Sequence, residues 1–162
     1  MSVKNKYSKS WNKGQTTEKK FFTVLRRYDP KARKANRDEQ INHIDFYSSL
    51  GTFDVKSTKR VSRNDKKYTE ELVWLEFKNV QGREGWLFGS ADYIAFERKD
   101  DFLVVKKNFL QGLASSKCNT ANKVKVSSDA LYKGYQREGR KDLISLIKVE
   151  DILNLPHEIW RK

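Results

Sequence analysis

Three charged side chains, Asp45, Asp54 and Lys56, interrupt a β-prone stretch over residues 42–60, N-H-I-D-F-Y-S-S-L-G-T-F-D-V-K-S-T-K-R. Strand side chains alternate between faces, so Asp54 and Lys56 point to the same side of any sheet that they join. Two acids and a lysine gathered on one spot of a sheet are costly unless a cation or a reaction uses them. A hard divalent cation takes oxygen ligands, usually one or two carboxylates with waters and substrate phosphates. Asp45 and Asp54 supply two carboxylates, and the carbonyl of Val55 supplies a further oxygen. A bound cation of this kind lowers the pKa of water. A lysine beside it, Lys56, would orient that water and stabilise charge on a phosphate. The chemistry that this set suggests is phosphodiester hydrolysis.

The elements that must hold these groups are two short alternating runs, 41–47 and 52–56, joined by Ser48-Ser49-Leu50-Gly51, a hairpin signal that brings Asp45 beside Asp54. Upstream, Phe21, Phe22, Leu25 and Tyr28 recur at helical spacing and predict an amphipathic helix over 17–28, stopped by Pro30. Residues 1–14 are basic and unpatterned and read as a flexible arm, and 29–40 as a charged connection. Downstream, 57–67 reads as a basic loop, 71–80 as a strand with Val73, Leu75 and Phe77 on one face, and 91–97 and 102–106 as two more strands. A short helix is expected at 108–116. Residues 117–142 show little periodicity, 143–149 reads as a strand, and Trp160 is expected to dock back on the core. The expectation is a single domain over 15–162, with a core over about 15–116 and a basic C-terminal extension over 117–162. Its fold class is mixed α/β, a central mixed β-sheet flanked by helices.

Composition supports a folded, polyanion-seeking chain. Its 162 residues can bury a real core, and nine Phe, seven Tyr and four Trp supply bulk that a disordered chain lacks, despite a mean hydropathy of -0.84. A formal charge of +13 favours nucleic acid as partner over lipid. No apolar run approaches the roughly 18 residues of a membrane span, and the basic N-terminus lacks the apolar stretch of a secretion signal. The lone Cys118 excludes an internal disulfide and a multi-cysteine zinc site, so a cytoplasmic location is the default expectation.

The spacing Asp45, eight residues, Asp54-Val55-Lys56 resembles the PD-(D/E)xK nuclease superfamily, particularly its Holliday-junction-resolvase-like and phage members. In that family an acid opens the motif on one strand and the D/E-x-K follows on the adjacent strand. An upstream helix often contributes a glutamate soon after a Lys-Gly pair, and Lys13-Gly14-Gln-Thr-Thr-Glu18 is similar to that element. The stretch E-F-K-N-V-Q-G-R-E-G-W-L-F-G-S-A-D-Y-I-A-F-E is also similar to one in small phage-encoded nuclease-like proteins, and the likeness covers roughly residues 13–107. The resemblance implies a restriction-endonuclease-like core and Mg2+ as cofactor, with Mn2+ substituting. It implies metal ligation by Glu18, Asp45, Asp54 and the Val55 carbonyl, with Lys56 catalytic. The implied substrate is double-stranded or branched DNA, and the resemblance also implies a homodimer in the host cytoplasm. Lys59, Arg60, Arg63, Lys66 and Lys67, together with Lys78, are the expected contacts to the phosphate backbone. His43-Ile44 stands where the family's proline often precedes the first acid. Glu76-Phe77-Lys78 is a second E-x-K, and the sequence leaves open which acid-lysine pair is the site. The alternatives are a non-catalytic nucleic-acid-binding protein and a phage factor that binds a host DNA enzyme.

Overall fold

Helix α1 (Lys4–Tyr28) places Phe21, Val24 and Leu25 on one buried stripe, at the spacing that puts side chains on a single helical face. Arg26 and Arg27 in its last turn oppose the negative end of the helix dipole, and the chain turns at Asp29-Pro30. The computed structural model describes residues 4–62, 65 and 69–162, with side chains from Asn12 onward. Within that range the helix already begins at Lys4 and runs through Gly14, so residues 4–14 are helical and not an unpatterned arm.

The charged connection after α1 also has structure. It contains β1 (Arg33–Lys34) and α2 (Arg37–Ile41). Asn36 and Glu39 close a reciprocal capping box on α2, in which each side chain accepts the other residue's backbone N–H at 2.9 Å. Next come β2 (Phe46–Ser48) and β3 (Gly51–Lys56), an antiparallel hairpin with Phe46 opposite Phe53 and Ser48 opposite Gly51. Gly51 has φ +136°, a conformation that only glycine adopts without strain.

The chain then leaves this sheet to form β4 (Leu72–Lys78) and a 3-10 turn at Trp86–Phe88. It returns as β5 (Tyr93–Glu97), parallel to β3, and β6 (Asp101–Lys106), antiparallel to β5. Helix α3 (Lys107–Lys117), β7 (Asn119–Val124), β8 (Lys133–Tyr135), β9 (Leu143–Lys148), α4 (Val149–Leu153) and β10 (His157–Arg161) complete the chain. Two sheets result, a six-stranded one of order β1-β2-β3-β5-β6-β10 and a four-stranded one of order β4-β9-β8-β7. The fold is mixed α/β with mixed sheets, as the element order predicts.

Alternation along the strands of the larger sheet separates two cores. Phe46, Phe53, Val55, Ala95, Phe102, Val104 and Trp160 pack with α1, where Phe21 meets Phe53, Phe102 and Trp160 at ring-centroid distances of 5.3, 5.1 and 5.9 Å. Ile94, Phe96, Leu103 and Val105 face the other way, onto Leu75 and Ile147 of the second sheet, Leu110 of α3 and Ile152 of α4. The larger sheet is thus sandwiched between α1 and the second sheet with its helices. Residues 117–162 are woven into both layers, since β9 pairs with β4 and β10 pairs with β6. Among the described residues no helix is long and apolar enough to cross a membrane.

Candidate active site

Asp54 lies in the middle of β3, in alternation with Phe53 and Val55, which pack toward α1. Its carboxylate therefore enters the opposite layer and is almost fully buried, at 3% exposure. Lys56, two residues on, shares that face and pairs with it, with Nζ 2.9 Å from Oδ1. The second oxygen, Oδ2, is buried without a hydrogen-bond partner. A buried carboxylate oxygen is an acceptor that normally finds a donor, so an orphan here needs an explanation.

Asp45 stands just before β2. Its backbone N–H donates to the Phe53 carbonyl and its carbonyl accepts from the Ala35 N–H, both at 2.8 Å, which fixes it at the mouth of the hairpin. Its side chain accepts the Val55 N–H at 2.8 Å and lies beside the carboxyls of both Asp54 and Glu18. Burial, more than the opposing pull of Lys56 and the added push of Asp45, raises the Asp54 pKa to about 7. Glu18 on α1 is also raised to about 7, first by burial and then by the charge and hydrogen bonding of Asp45, with Lys34 and Lys56 pulling the other way.

The structure thus brings Asp45, Asp54 and Lys56 together, and sets Glu18 next to Asp45. Asp45 is the link, since its carboxyl is a partner of both Glu18 and Asp54. Among the described residues, no three His, Cys, Asp or Glu side chains are grouped as a set of metal ligands. The two-carboxylate pair with the orphan Oδ2 nevertheless has the chemistry that a hard cation takes when substrate oxygens and water complete its shell.

The surroundings come from three segments. Trp86 is 7% exposed and presents its ring to Lys56, with Nζ 5.0 Å from the centroid. The Glu76 carboxylate accepts the Trp86 backbone N–H at 3.2 Å. Gly85 lies so close to β4 that a Cβ there would sit 2.3 Å from the Glu76 carbonyl oxygen. The second E-x-K is therefore on the other sheet: Glu76 anchors the turn that carries Trp86, and the Lys78 backbone forms an antiparallel β-bridge with that of Glu84. β4 is not the neighbour of β3, whose partners are β2 and β5, so Lys78 does not reach the site from an adjacent strand.

His43 holds a left-handed backbone at φ 62° instead of continuing the strand. Burial and then the Lys56 charge keep its imidazole below the ordinary histidine range, against opposing contributions from Glu76, the Glu84 backbone and Asp45. Lys107 at the start of α3 donates to the Gly89 carbonyl, and its ammonium feels Asp92 and Asp54. Trp86, Lys107 and His43 are neighbours of the site that motif spacing alone did not select. For Trp86 the one available cue was its place between two glycines, Gly85 and Gly89.

Of the expected phosphate contacts, Lys59 and Arg60 follow β3 directly, and the Lys59 backbone bridges to Thr69. Arg63, Lys66 and Lys67 lie outside the described residues. No protein-family model, curated protein or solved structure matches this chain.

Proposed function

We propose that this chain is a Mg2+-dependent endodeoxyribonuclease of the PD-(D/E)xK type, built on a restriction-endonuclease-like core and cutting phosphodiester bonds of duplex or branched DNA. The observation that carries the reading is the buried Asp54 carboxylate, with one oxygen on Lys56, the other orphaned, and Asp45 beside it from just before the neighbouring strand β2. This arrangement supports the resemblance to the superfamily, in which the first acid and the D/E-x-K come from adjacent strands.

Asp45 and Asp54 would hold the cation, with Glu18 positioned to act through Asp45 and the Val55 carbonyl as a further oxygen. When bound, the cation would supply Lewis-acid activation of the phosphodiester and of water. Lys56, fixed between Asp54 and the Trp86 ring, presents an ammonium where negative charge grows on the phosphate. Lys59 and Arg60 lie immediately beyond it, where the DNA backbone would pass.

The test incubates the protein with plasmid, linear, single-stranded and four-way-junction DNA in Mg2+, Mn2+ or EDTA. Cleavage is expected in Mg2+ and Mn2+, none in EDTA, and a loss of at least about a hundredfold in Asp54→Ala and in Lys56→Ala. Cleavage that persists in both variants and disappears in Glu76→Ala would move the site to the second sheet. Salt-sensitive binding without any cleavage would leave a nucleic-acid-binding protein in place of an enzyme.

A further inference from the structure

Cations around the candidate site come from three distant parts of the chain. Lys13 of α1 donates to the Thr58 carbonyl at 2.8 Å and to its hydroxyl at 3.0 Å, which ties the helix to the segment leaving β3. Two residues on, the Arg60 carbonyl accepts the Trp74 indole N–H at 3.3 Å. The Trp74 ring packs on Tyr135 of β8 with centroids 5.8 Å apart, and Arg137 follows Tyr135 by two residues. This relay draws the segment with Lys59 toward the segment with Arg137 on the second sheet. After the larger effect of burial, the charges of Lys56 and Arg137 hold the Lys59 ammonium below the ordinary lysine range.

The acids nearby are already engaged. Asp54 is on Lys56, Glu97 is on Lys162 and the Thr17 hydroxyl, and Asp142 is on Arg137 at 2.5 Å. Among the described residues Lys59 forms no ion pair. Lys59, without a carboxylate of its own, and Arg137, whose carboxylate partner engages Nε and the main chain, are arranged for an anion that arrives from outside.

We infer that Lys59 and Arg137, held in place by Lys13 and the Trp74–Tyr135 contact, form a phosphate-binding subsite that makes the second sheet part of the grip on nucleic acid. The occupant is a backbone phosphate of the strand passing the candidate site. Asp142 engages Nε and the main chain of Arg137, which orients the guanidinium fork, whose amino groups are further donors to phosphate oxygens. The inference rests on the nuclease reading for the identity of the strand. It assigns to the C-terminal part of the chain a role that the motif leaves blank.

Binding of a short fluorescent DNA duplex in EDTA, followed by anisotropy between about 50 and 200 mM salt, tests the subsite without cleavage. Lys59→Ala and Arg137→Gln are each expected to lower the slope of log affinity against log salt by about one, and the double variant by about two. Lys123→Ala, on β7 of the same sheet, serves as the comparison and is expected to keep the wild-type slope. Because Arg137→Gln strips a partner from buried Asp142, thermal unfolding accompanies it, and Lys59→Ala carries the test should that variant not fold. An unchanged slope in folded Lys59→Ala overturns the subsite. If the slopes fall as expected while the wild type cuts no DNA in Mg2+, the subsite stands and the nuclease reading falls. If the wild type cuts and the slopes do not move, the reverse holds.

Discussion

At the scale of single residues, the site is a balance between burial and charge. Asp54 is almost fully buried, and the single ion pair with Lys56 does not offset the loss of water around its carboxylate, so its pKa sits at about 7 in place of the ordinary 3.8. The sign of the consequence follows from proton linkage. Between those two values the folded protein holds a proton that the unfolded chain has released, so stability falls as pH rises from about 4 to about 7. Above that range both states are deprotonated and Asp54 adds no further slope. In metal-free buffer, thermal unfolding at stepped pH should show this loss, at most about 1.4 kcal/mol per pH unit from Asp54. Asp54→Asn should make the profile shallower in that window, where Glu18, also raised to about 7, keeps its own share, and a profile that keeps its full steepness in Asp54→Asn would place the titration elsewhere. The same proton competes with a cation for the carboxylate, so added Mg2+ should stabilise the wild type more at pH 8 than at pH 5.

At the scale of elements, the geometry depends on close approaches that only small residues permit. The turn carrying Trp86 is pressed onto β4 at Gly85, where a methyl group would collide with the Glu76 main chain. Gly85→Ala should therefore cost about 1–3 kcal/mol in chemical denaturation and displace Trp86 from Lys56. Activity in that variant should fall although every charged residue of the site is retained. A Gly85→Ala protein with wild-type stability and rate would show that the turn has room to shift. The hairpin itself was readable from its alternation and from Ser48 to Gly51, and so were α3, β6 and β9. The capping box at Asn36 and Glu39 was equally present in the sequence but hidden in a run that reads as charged connection. β7 and β8 carried no periodicity to find, because most β7 side chains are exposed and β8 has three residues.

At the scale of the whole molecule, the chain crosses between its two sheets several times. The connection from β3 to the parallel β5 leaves to build β4, and the C-terminal part adds β9 to β4 and then β10 to β6. A division into a core over 15–116 and an extension over 117–162 thus cuts through both layers. Trp160, 3% exposed, lies against Phe21 of α1 and Phe53 of β3. Truncation after residue 116 removes that ring and the strand paired with β4. The truncated protein is expected to lose cooperative thermal unfolding by circular dichroism, and a sharp transition in it would show that residues 15–116 fold alone.

The sequence by itself determined the local facts: a hairpin with Asp45 on one arm and Asp54 and Lys56 on the other, a helix with Phe21 and Leu25 on its buried stripe, and a formal charge of +13. These depend on neighbours a few residues apart, and periodicity records them. Tertiary structure decided what depends on distant segments. It buried Asp54, left Oδ2 without a donor, and set Glu18 of α1 beside Asp45. It also gave Glu76 to the Trp86 turn and joined the segments of Arg60 and Tyr135 through Trp74. A carboxylate's pKa and a cation's neighbours are set by packing in space, and the pairing of β4 with β9 and of β3 with β5 is what fixed them.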